Sequence, residues 1–490
     1  MRDHLLIYVN GRALRVRGED AFLTLAEFLR RKRSLTGTKI VCAEGDCGAC
    51  AVLVGRTAAA DSKIRYASVN SCIQMMFQLD GTHVVTVEGL KYGTELNPIQ
   101  QAMVQCHGTQ CGFCTPGFVV SLCDLMQGET VTAQDVRRGL VGNLCRCTGY
   151  DSIVRAGMAV DRSTLKSLDE LYPPGEMMAE MSATEAEDVL VAADGKTFFK
   201  PVSVEGALRF RKENPNCLIV AGATDLGVQR NKGTRKLDVV MSLGGLRELG
   251  GIEVTAGALC IGGSATLTEL ERVSAKHLPE LSRSLAYFGS PLIKNAGTLA
   301  GNLVNASPIG DTIPAFYVLE GEVEIAGESG RRWVKIEDFY VGYRKTILQA
   351  EELVTRLRLP IPRKGEIFKI YKISKRKDLD ISSFDAAIWM RMSGGRIEQI
   401  RIAYGGVGPM VVRMIGAEAF LSGKIASREL FAEAGNIAAG EVSPISDVRG
   451  AEAYRRVLAR NILLKFWQDI EEPDAGRPMP QPAMNLEMRS

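Results

Sequence analysis

The chain has 490 residues, 46% hydrophobic and 24% charged, which is the balance of an ordinary globular protein with three or four domains. Its 60 basic and 57 acidic residues leave a net charge of +3, so we expect no nucleic-acid partner and no membrane partner. No apolar run reaches the roughly 18 residues needed to span a bilayer, and the N-terminus is polar rather than signal-like, which predicts a cytoplasmic protein.

Residues 1–85 predict a small β-grasp domain. Apolar runs at 4–9 and 13–17 flank Asn10-Gly11, a strong hairpin signal. A helical segment follows at 24–31, where Thr24 and Glu27 have the spacing of a capping box. Two strands, a helix and then a loop rich in glycine and cysteine are consistent with a ferredoxin-like unit.

From residue 86 to 165 the apolar spacing becomes helical. Glycines and prolines separate four segments, at 99–106, 118–126, 133–140 and 153–160, and this pattern predicts a four-helix domain. Residues 166–192 lack a strong apolar period and contain Pro173-Pro174-Gly175, which predicts a linker.

The remaining chain mixes strands and helices, so the predicted fold class is multidomain α+β. One α+β domain is expected over 193–364 and a C-terminal α+β domain over 365–475, which closes with an amphipathic helix near 451–467. A loose, proline-containing tail is expected at 476–490.

Ten of the twelve cysteines lie before residue 150. In a cytosolic chain such clustering indicates metal binding or catalysis rather than disulfides. Cys42-x4-Cys47-x2-Cys50, followed by Cys72, is the plant-type [2Fe–2S] spacing. The intervening glycines of CAEGDCGAC permit a tight curl whose backbone N–H groups can bond the cluster sulfurs.

A second set of four thiols is formed by Cys111-x2-Cys114 and Cys145-x-Cys147. This spacing also suits a structural zinc, but the neighbouring ferredoxin-like set favours a second [2Fe–2S] cluster. Cys106 and Cys123 lie in helical segments and are expected to be packed core thiols.

The chain contains no G-x-G-x-x-G and no P-loop, which disfavours a Rossmann-type nucleotide site. Two glycine-rich stretches, at 218–226 and 295–311, follow apolar runs instead. Their small residues would let the backbone approach a pyrophosphate, and Thr298, Asn302 and Asn305 could bond sugar and phosphate oxygens. From the residues alone, two ordinary glycine turns explain the pattern equally well.

Together these motifs resemble the iron–sulfur/FAD part of the xanthine dehydrogenases, within the molybdenum hydroxylase family. The matching stretches run from residue 42 to 346: CAEGDCGAC with Cys72, QCGFCTPG, NLCRCTGY, VAGATDLG, AGTLAGNLVNASPIGD and GYRKT. The resemblance implies that Cys42, Cys47, Cys50 and Cys72 hold the cluster nearer the flavin. It assigns the cluster nearer the molybdenum to Cys111, Cys114, Cys145 and Cys147.

The resemblance further implies a two-part α+β FAD-binding domain over 193–364. Its expected FAD contacts are Val220, Ala221, Gly222, Ala223, Thr224, Asp225, Leu226, Thr298, Gly301, Asn302, Asn305, Ser307, Asp311 and Lys372. Gln110 would contact the pterin cofactor of a catalytic partner. The family's NAD-positioning segment matches only partly at 374–381, where Leu379 stands in place of a common acidic residue.

The function implied is that of an electron-transfer subunit of a xanthine dehydrogenase, an oxidoreductase. Electrons would pass from a molybdopterin-containing large subunit through two [2Fe–2S] clusters to FAD and then to NAD, in a dimer of heterodimers. No catalytic residue is assigned to this chain, because substrate would be hydroxylated on the partner. The alternatives are an equivalent subunit for an aldehyde, another purine or an N-heterocycle, and a non-enzymatic electron-transfer protein with zinc and no flavin.

Overall fold

The computed structural model describes residues 1–57, 63–128 and 131–472, so the predicted tail at 476–490 lies outside the described residues. The chain divides into two compact units. Unit 1 comprises residues 1–248 and 290–297, and unit 2 comprises residues 249–289 and 298–490. The predicted domain at 193–364 is therefore divided between the units, since residues 193–248 and 290–297 belong to unit 1 and the rest belong to unit 2.

The strands of the described residues are β1 (Leu5–Val9), β2 (Arg12–Val16), β3 (Ala51–Thr57), β4 (Ile64–Asn70), β5 (Thr82–Val85), β6 (Val189–Ala193), β7 (Lys196–Lys200), β8 (Leu218–Val220), β9 (Val239–Ser242), β10 (Ile252–Thr255), β11 (Ala258–Gly262), β12 (Glu322–Gly327), β13 (Gly330–Lys335), β14 (Tyr340–Gly342), β15 (Lys345–Thr346), β16 (Leu353–Pro360), β17 (Glu366–Ile373), β18 (Phe384–Ser393), β19 (Arg396–Gly405) and β20 (Val412–Arg413).

The helices of the same residues are α1 (Leu25–Lys32), α2 (Pro98–Gln105), α3 (Thr115–Leu125), α4 (Ala133–Gly139), α5 (Asp151–Met158), α6 (Leu168–Leu171), α7 (Gly175–Ala183), α8 (Val204–Glu213), α9 (Leu226–Asn231), α10 (Leu267–His277), α11 (Pro279–Leu285), α12 (Pro291–Lys294), α13 (Leu299–Val304), α14 (Ile313–Val318), α15 (Ile336–Phe339), α16 (Ile415–Leu421), α17 (Arg428–Glu441) and α18 (Glu452–Glu471). Over the described ranges, none of these helices has the length and hydropathy required to cross a bilayer.

Unit 1 begins with the predicted β-grasp. Its sheet has the strand order β2-β1-β5-β3-β4, in which β1 pairs antiparallel with β2 and parallel with β5. Asn10 and Gly11 both have positive φ, at 48° and 78°, as a two-residue hairpin turn of type I′ requires. The capping box is also confirmed, since Thr24 and Glu27 cap α1 reciprocally.

Helices α2, α3, α4 and α5 form at the four predicted segments. Pro98 occupies the first position of α2 after the capping residue Asn97, where its missing N–H costs no helical hydrogen bond. Fully buried side chains such as Phe118 and Ile153 join these helices to one face of the β-grasp sheet in a common core.

The segment predicted as a linker, 166–192, is folded. Helices α6 and α7 lie within it, and Met177 and Met181 of α7 are buried in the core shared with α2–α5. These two side chains are one helical turn apart, so they form a narrow apolar stripe. Two methionines among acidic residues do not give the sequence a recognisable apolar helical period, so no helix was predicted here.

A second sheet completes unit 1, with the order β6-β7-β9-β8. Strand β7 runs parallel to β9, and β9 runs parallel to β8. Phe198 of this sheet stacks on Phe77 of the β-grasp with ring centroids 5.0 Å apart, and both rings are buried. The two sheets of unit 1 thus share one apolar core.

Unit 2 contains a five-stranded antiparallel sheet, β10-β11-β16-β12-β13, and a four-stranded antiparallel sheet, β17-β18-β19-β20. Helix α14 packs on β18 and β19, while α16, α17 and α18 cover a second apolar cluster centred on Phe431 and Phe466. The predicted multidomain α+β fold class is confirmed, including a two-part region after residue 192, whose parts contain the sheets β6-β7-β9-β8 and β10-β11-β16-β12-β13. The domain bounds 193–364 and 365–475 stay predictions.

A buried ion cluster joins the two sheets of unit 1. Asp80 accepts hydrogen bonds from both terminal nitrogens of Arg2, at 2.9 and 2.8 Å, and from Lys200 Nζ at 2.6 Å. Burial alone would raise the pKa of Asp80, but these two cations together hold it below its ordinary value. The carboxylate therefore stays ionised and compensates two cations at the join.

Replacing Asp80 with Asn should destabilise unit 1 by about 3–5 kcal/mol, because Lys200 would be left buried without a counter-charge. Urea unfolding followed by circular dichroism measures the change. Because the folded-state pKa of Asp80 is depressed, its stabilisation is complete at neutral pH and is lost as the pH falls below about 4, so the difference between D80N and wild type should shrink there. The exposed ion pair of Asp3 provides the control, and D3N should unfold like wild type.

Candidate cofactor sites

The first cysteine loop, residues 42–50, connects the end of the α1 region to β3. Gly45 and Gly48 have φ values of +85° and +65°, so both glycines adopt the left-handed conformations expected of them. Ala43 also lies in this region, at +56°, which the sequence did not indicate. Three left-handed residues in nine explain how the loop curls tightly enough to bring its cysteines together.

The four thiols of the first set meet inside this curl. Cys42 contacts the thiols of Cys47 and Cys72, and Cys50 contacts that of Cys72. Hydrogen bonds from Cys47 and Cys72 lower the pKa of Cys42, which favours its thiolate. Cys47, Cys50 and Cys72 are buried and Cys42 is partly buried, so the set is shielded from solvent.

The second set lies in two loops of the helical domain. Cys111 and Cys147 have their Sγ atoms 3.6 Å apart, and Cys114, which precedes α3, contacts Cys145. Cys111 and Cys147 are exposed, whereas Cys114 and Cys145 are partly buried. The structure therefore brings all eight predicted ligands into two groups of four, one shielded and one open to solvent.

Thr148 and Tyr150 support this second set, although the sequence reasoning assigned them no role. The backbone N–H of Thr148 donates to Cys145 Sγ at 3.4 Å, and the Tyr150 hydroxyl oxygen accepts from the Cys145 N–H at 3.0 Å. Burial would raise the pKa of Cys145, but the bonds from Thr148 lower it. The only sequence signal for these residues was their place directly after the last cysteine, in NLCRCTGY.

The thiols of the first set contact one another in a chain, from Cys47 through Cys42 and Cys72 to Cys50, whereas those of the second set form two pairs. Across the ranges that the structure describes, no three His, Cys, Asp or Glu side chains surround a single metal-ion position. In a [2Fe–2S] cluster each iron takes two cysteine thiolates and shares the two sulfides, whereas a structural zinc takes four ligands at one point. Each set supplies four cysteine thiols, the number that a [2Fe–2S] cluster takes.

The two cysteine loops are in direct backbone contact. The N–H of Leu144 donates to the carbonyl of Cys47 at 3.0 Å, and Asn143 Nδ2 donates to the carbonyl of Gly48 at 3.3 Å. A Cβ on Gly48 would lie 2.3 Å from the carbonyl oxygen of Gly142, and one on Gly117 would lie 2.2 Å from that of Gly48. Only glycine fits at these two positions. The hydrogen bond from Leu144 to Cys47 links a cysteine of the first set directly to the residue that precedes Cys145 of the second set.

The glycine-rich stretch 220–226 lies in unit 1, between β8 and α9. A Cβ on Gly222 would lie 2.0 Å from the carbonyl oxygen of Ala296, so the loop packs tightly on the returning segment at 290–297. Gln78 Nε2 donates to the Ala221 carbonyl at 3.2 Å, which ties the loop to the β-grasp. Ala223 has a φ of +56°, and Asp225 is exposed.

The other residues predicted to contact FAD lie in unit 2. Thr298 caps α13, with its Oγ1 accepting from the Gly301 N–H at 3.0 Å, and Asn302 Oδ1 accepts from Thr312 Oγ1 at 2.7 Å. Asn305 and Ser307 are partly buried where α13 ends. The Thr298 hydroxyl and the Asn302 amide thus have local structural roles, and the assignment of all four residues to FAD stays a prediction.

Asp311 and Lys372, 61 residues apart, are brought together in unit 2. Lys372 Nζ lies 2.5 Å from one carboxylate oxygen of Asp311, and Ser382 Oγ donates to the other at 2.6 Å. Asp385 lies opposite Lys372 on the neighbouring strand and is fully buried. Its burial, followed by the nearby charge of Asp311, raises the pKa of Asp385 well above its ordinary value. No local sequence pattern marks Ser382 or Asp385, so neither residue was predicted.

Three family models match the chain in sequence order. The [2Fe-2S] binding domain matches residues 86–158, the FAD binding domain in molybdopterin dehydrogenase matches 192–362, and the CO dehydrogenase flavoprotein C-terminal domain matches 369–470. Together with the cysteine geometry, these matches decide the family. The chain belongs to the molybdenum hydroxylase family. Within it, this is the iron–sulfur and FAD part, and the family comprises oxidoreductases.

Individual relatives and a solved structure are similar to the chain as well. The xanthine dehydrogenase of Blastobotrys adeninivorans is 30% identical over 577 residues, covering 96% of this chain and 41% of that protein. Aldehyde oxidase 1 of Bos taurus is 29% identical, covering 96% of this chain and 39% of its own length. A carbon monoxide dehydrogenase from Hydrogenophaga pseudoflava has a TM-score of 0.53 at 25% identity, over 55% of this chain and 94% of that one.

The chain therefore spans about two fifths of the length of these curated relatives. The match of residues 86–158 to a [2Fe-2S] binding domain contradicts the alternative of a structural zinc at the second cysteine set. The match at 192–362 likewise contradicts the alternative of a chain without flavin. The cofactors are thus [2Fe–2S] clusters and FAD, while the residues assigned to each remain those predicted from the sequence.

Replacing Cys114 with Ser should remove one of two [2Fe–2S] signals in electron paramagnetic resonance spectra and leave the other, because Cys114 belongs to the second set and no predicted ligand of the first set changes. Cys123 supplies the control: it is a buried thiol on α3, and burial raises its pKa to about 12. C123S should keep both signals. Retention of both signals in C114S would contradict the ligand assignment.

Replacing Asp311 with Ala should lower the ratio of FAD to protein, because the variant leaves Lys372 buried without its counter-charge at the predicted flavin residues. The ratio is measured from the absorbance of FAD released by acid precipitation. The exposed Asp338 of the same unit serves as the comparison, and D338A should retain FAD like wild type. A wild-type ratio in D311A would contradict the role of Asp311.

Proposed function

We propose that this chain is the electron-transfer subunit of a xanthine dehydrogenase, located in the cytoplasm and paired with a molybdopterin-containing catalytic subunit. The observation that carries the proposal is the direct hydrogen bond between the loops of the two cysteine sets, from the Leu144 N–H to the Cys47 carbonyl. When bound, the clusters supply one-electron transfer and the flavin converts single electrons to hydride transfer to NAD⁺.

The exposure of the two cysteine sets supports a direction for electron flow. Cys111 and Cys147 are exposed, and so is Gln110 beside them, whereas the first set is shielded. Gln78 then connects the β-grasp, which carries the first set, to the flavin stretch at Ala221. We propose that electrons enter at the exposed second set and leave through the shielded first set, in agreement with this difference in exposure.

Apolar side chains around the open set support a partner subunit there. Phe113 is 50% exposed and Leu144 is 47% exposed, and each directly precedes a second-set cysteine. Large apolar groups at the surface are typical of the buried centre of a protein–protein interface. We propose that the catalytic subunit covers them and that Gln110 contacts its pterin, in a dimer of heterodimers.

Xanthine as substrate is supported by the xanthine dehydrogenases among the relatives. The charged segment 374–381 lies in unit 2, where Arg376 pairs with Asp380 and the Lys375 ammonium donates to the Val448 carbonyl. Its basic side chains are suited to the phosphates of NAD. The related bovine aldehyde oxidase supports an aldehyde as the second candidate substrate.

Purification of the affinity-tagged chain from its native host tests the whole proposal. We expect a molybdenum-containing partner to co-purify and the complex to reduce NAD⁺ when xanthine is added. Iron, molybdenum and FAD contents should be measured together, and purines, aldehydes and N-heterocycles screened with NAD⁺ or oxygen as acceptor. Oxidation of an aldehyde but not xanthine would contradict the substrate, and reduction of oxygen alone would contradict the acceptor.

A matched pair of variants tests the docking surface. Phe113→Glu should abolish co-purification of the partner while iron and FAD contents of the chain stay at wild-type levels, since a carboxylate would be buried in the interface. Val254→Glu changes a similarly exposed apolar residue of β10 and should leave the complex intact. Co-purification of the partner with F113E would contradict the proposed surface.

A further inference from the structure

Asn231, the last residue of α9, bonds both chain segments that carry the first cysteine set. Its single side-chain nitrogen, Nδ2, donates to the carbonyl of Ala43 at 2.8 Å and to the carbonyl of Cys72 at 2.8 Å. Its Oδ1 accepts from an Arg230 guanidinium nitrogen at 3.1 Å, which fixes the orientation of the amide. One side chain therefore clamps the residue after Cys42 to Cys72 itself.

The clamp fixes a peptide unit beside a predicted cluster ligand. The peptide unit between Ala43 and Glu44 follows Cys42 directly, and its carbonyl accepts the hydrogen bond from Asn231. Holding the carbonyl fixes the plane of this peptide, and with it the direction of the N–H. Hydrogen bonds to the sulfurs are one of the determinants of the reduction potential of an iron–sulfur cluster.

Helix α9 is held close to these segments along its length. A Cβ on Gly227 would lie 2.3 Å from the carbonyl oxygen of Ile73, so the helix touches the backbone directly after Cys72. Arg230 pairs with Glu27 at 3.1 Å, and Lys232, just after the helix, pairs with Glu44 at 2.5 Å. These contacts leave little freedom for the helix to shift relative to the cysteines.

The same helix begins at Leu226, where the predicted flavin stretch ends. At a rise of roughly 1.5 Å per residue, its six residues span only about 9 Å. One end of this short helix is bonded to the cysteine segments, and the other end is continuous with the predicted flavin stretch. The helix can therefore act as a rigid spacer between the two cofactors.

We propose that Asn231 is a positioning residue for electron transfer, which orients the backbone around Cys42 and Cys72 and thereby sets the reduction potential of the ferredoxin-like cluster and its placement relative to the flavin. This inference rests on the proposed function. It assigns to Asn231 no contact with substrate or with the reacting atoms.

The test is a redox titration of the purified full-length chain, with the two [2Fe–2S] signals followed separately by electron paramagnetic resonance. The signal that survives in C114S identifies the ferredoxin-like cluster. Asn231→Leu removes the donor without adding charge, and Asn231→Asp removes it and adds a negative charge. Both should shift the midpoint of the ferredoxin-like cluster to more negative potential, N231D further than N231L, and leave the other midpoint unchanged.

Asn214 provides the matched control. It also lies at a helix end in unit 1, where its Nδ2 donates to the Phe210 carbonyl at 3.0 Å, away from both cysteine sets. N214D should titrate like wild type.

An unchanged midpoint in N231L would overturn the inference, because charge alone would then explain N231D. Loss of both clusters in both variants would overturn it too, because the effect would not be specific to one set. Selective loss of the ferredoxin-like signal in either variant would support it. If the wild-type chain lacked two distinct [2Fe–2S] signals, the proposed function would fail. This outcome is seen in wild type, whereas failure of the Asn231 inference is seen only in the variants.

Discussion

The close approach of glycine backbones in unit 1 is the constraint on which the other features depend. At Gly48 and Gly117 a single methyl group would overlap a carbonyl oxygen of the facing loop. This contact leaves room for the hydrogen bond from Leu144 to Cys47, so two loops from different folding motifs become neighbours. Excluded volume decides packing of this kind. Glycine is required at these positions because any side chain would overlap the facing backbone.

Electrostatics imposes a second constraint, because each unit contains a buried cation that a buried carboxylate compensates. In unit 1 Asp80 balances Arg2 and Lys200 at the join between two sheets. In unit 2 Asp311 balances Lys372, and the neighbouring Asp385 has its pKa raised by burial and by that carboxylate. A low-dielectric interior tolerates one ionised carboxylate beside a lysine far more readily than two carboxylates together.

Local sequence patterns predicted the secondary structure where the cause was local. The Asn10-Gly11 hairpin, the Thr24–Glu27 capping box and the four helices between 98 and 158 all formed as expected, because turn chemistry and apolar period act over a few residues. The segment 166–192 is folded rather than extended, because α7 is held by two methionines that pack on a core built elsewhere. The composition of that segment carries no information about the core on which it packs, because this core is formed by other parts of the chain.

The sequence by itself determined the cysteine spacing, the glycines that let the first loop curl and the order of the domains, since each is a property of consecutive residues. Tertiary structure alone decided which thiols pair, that Asp311 meets Lys372 and Ser382, and that residues 290–297 return to unit 1. It also decided that Asn231 bonds to two loops 188 and 159 residues away. Such contacts arise from the packing of whole elements, and the chain carries no local pattern for them.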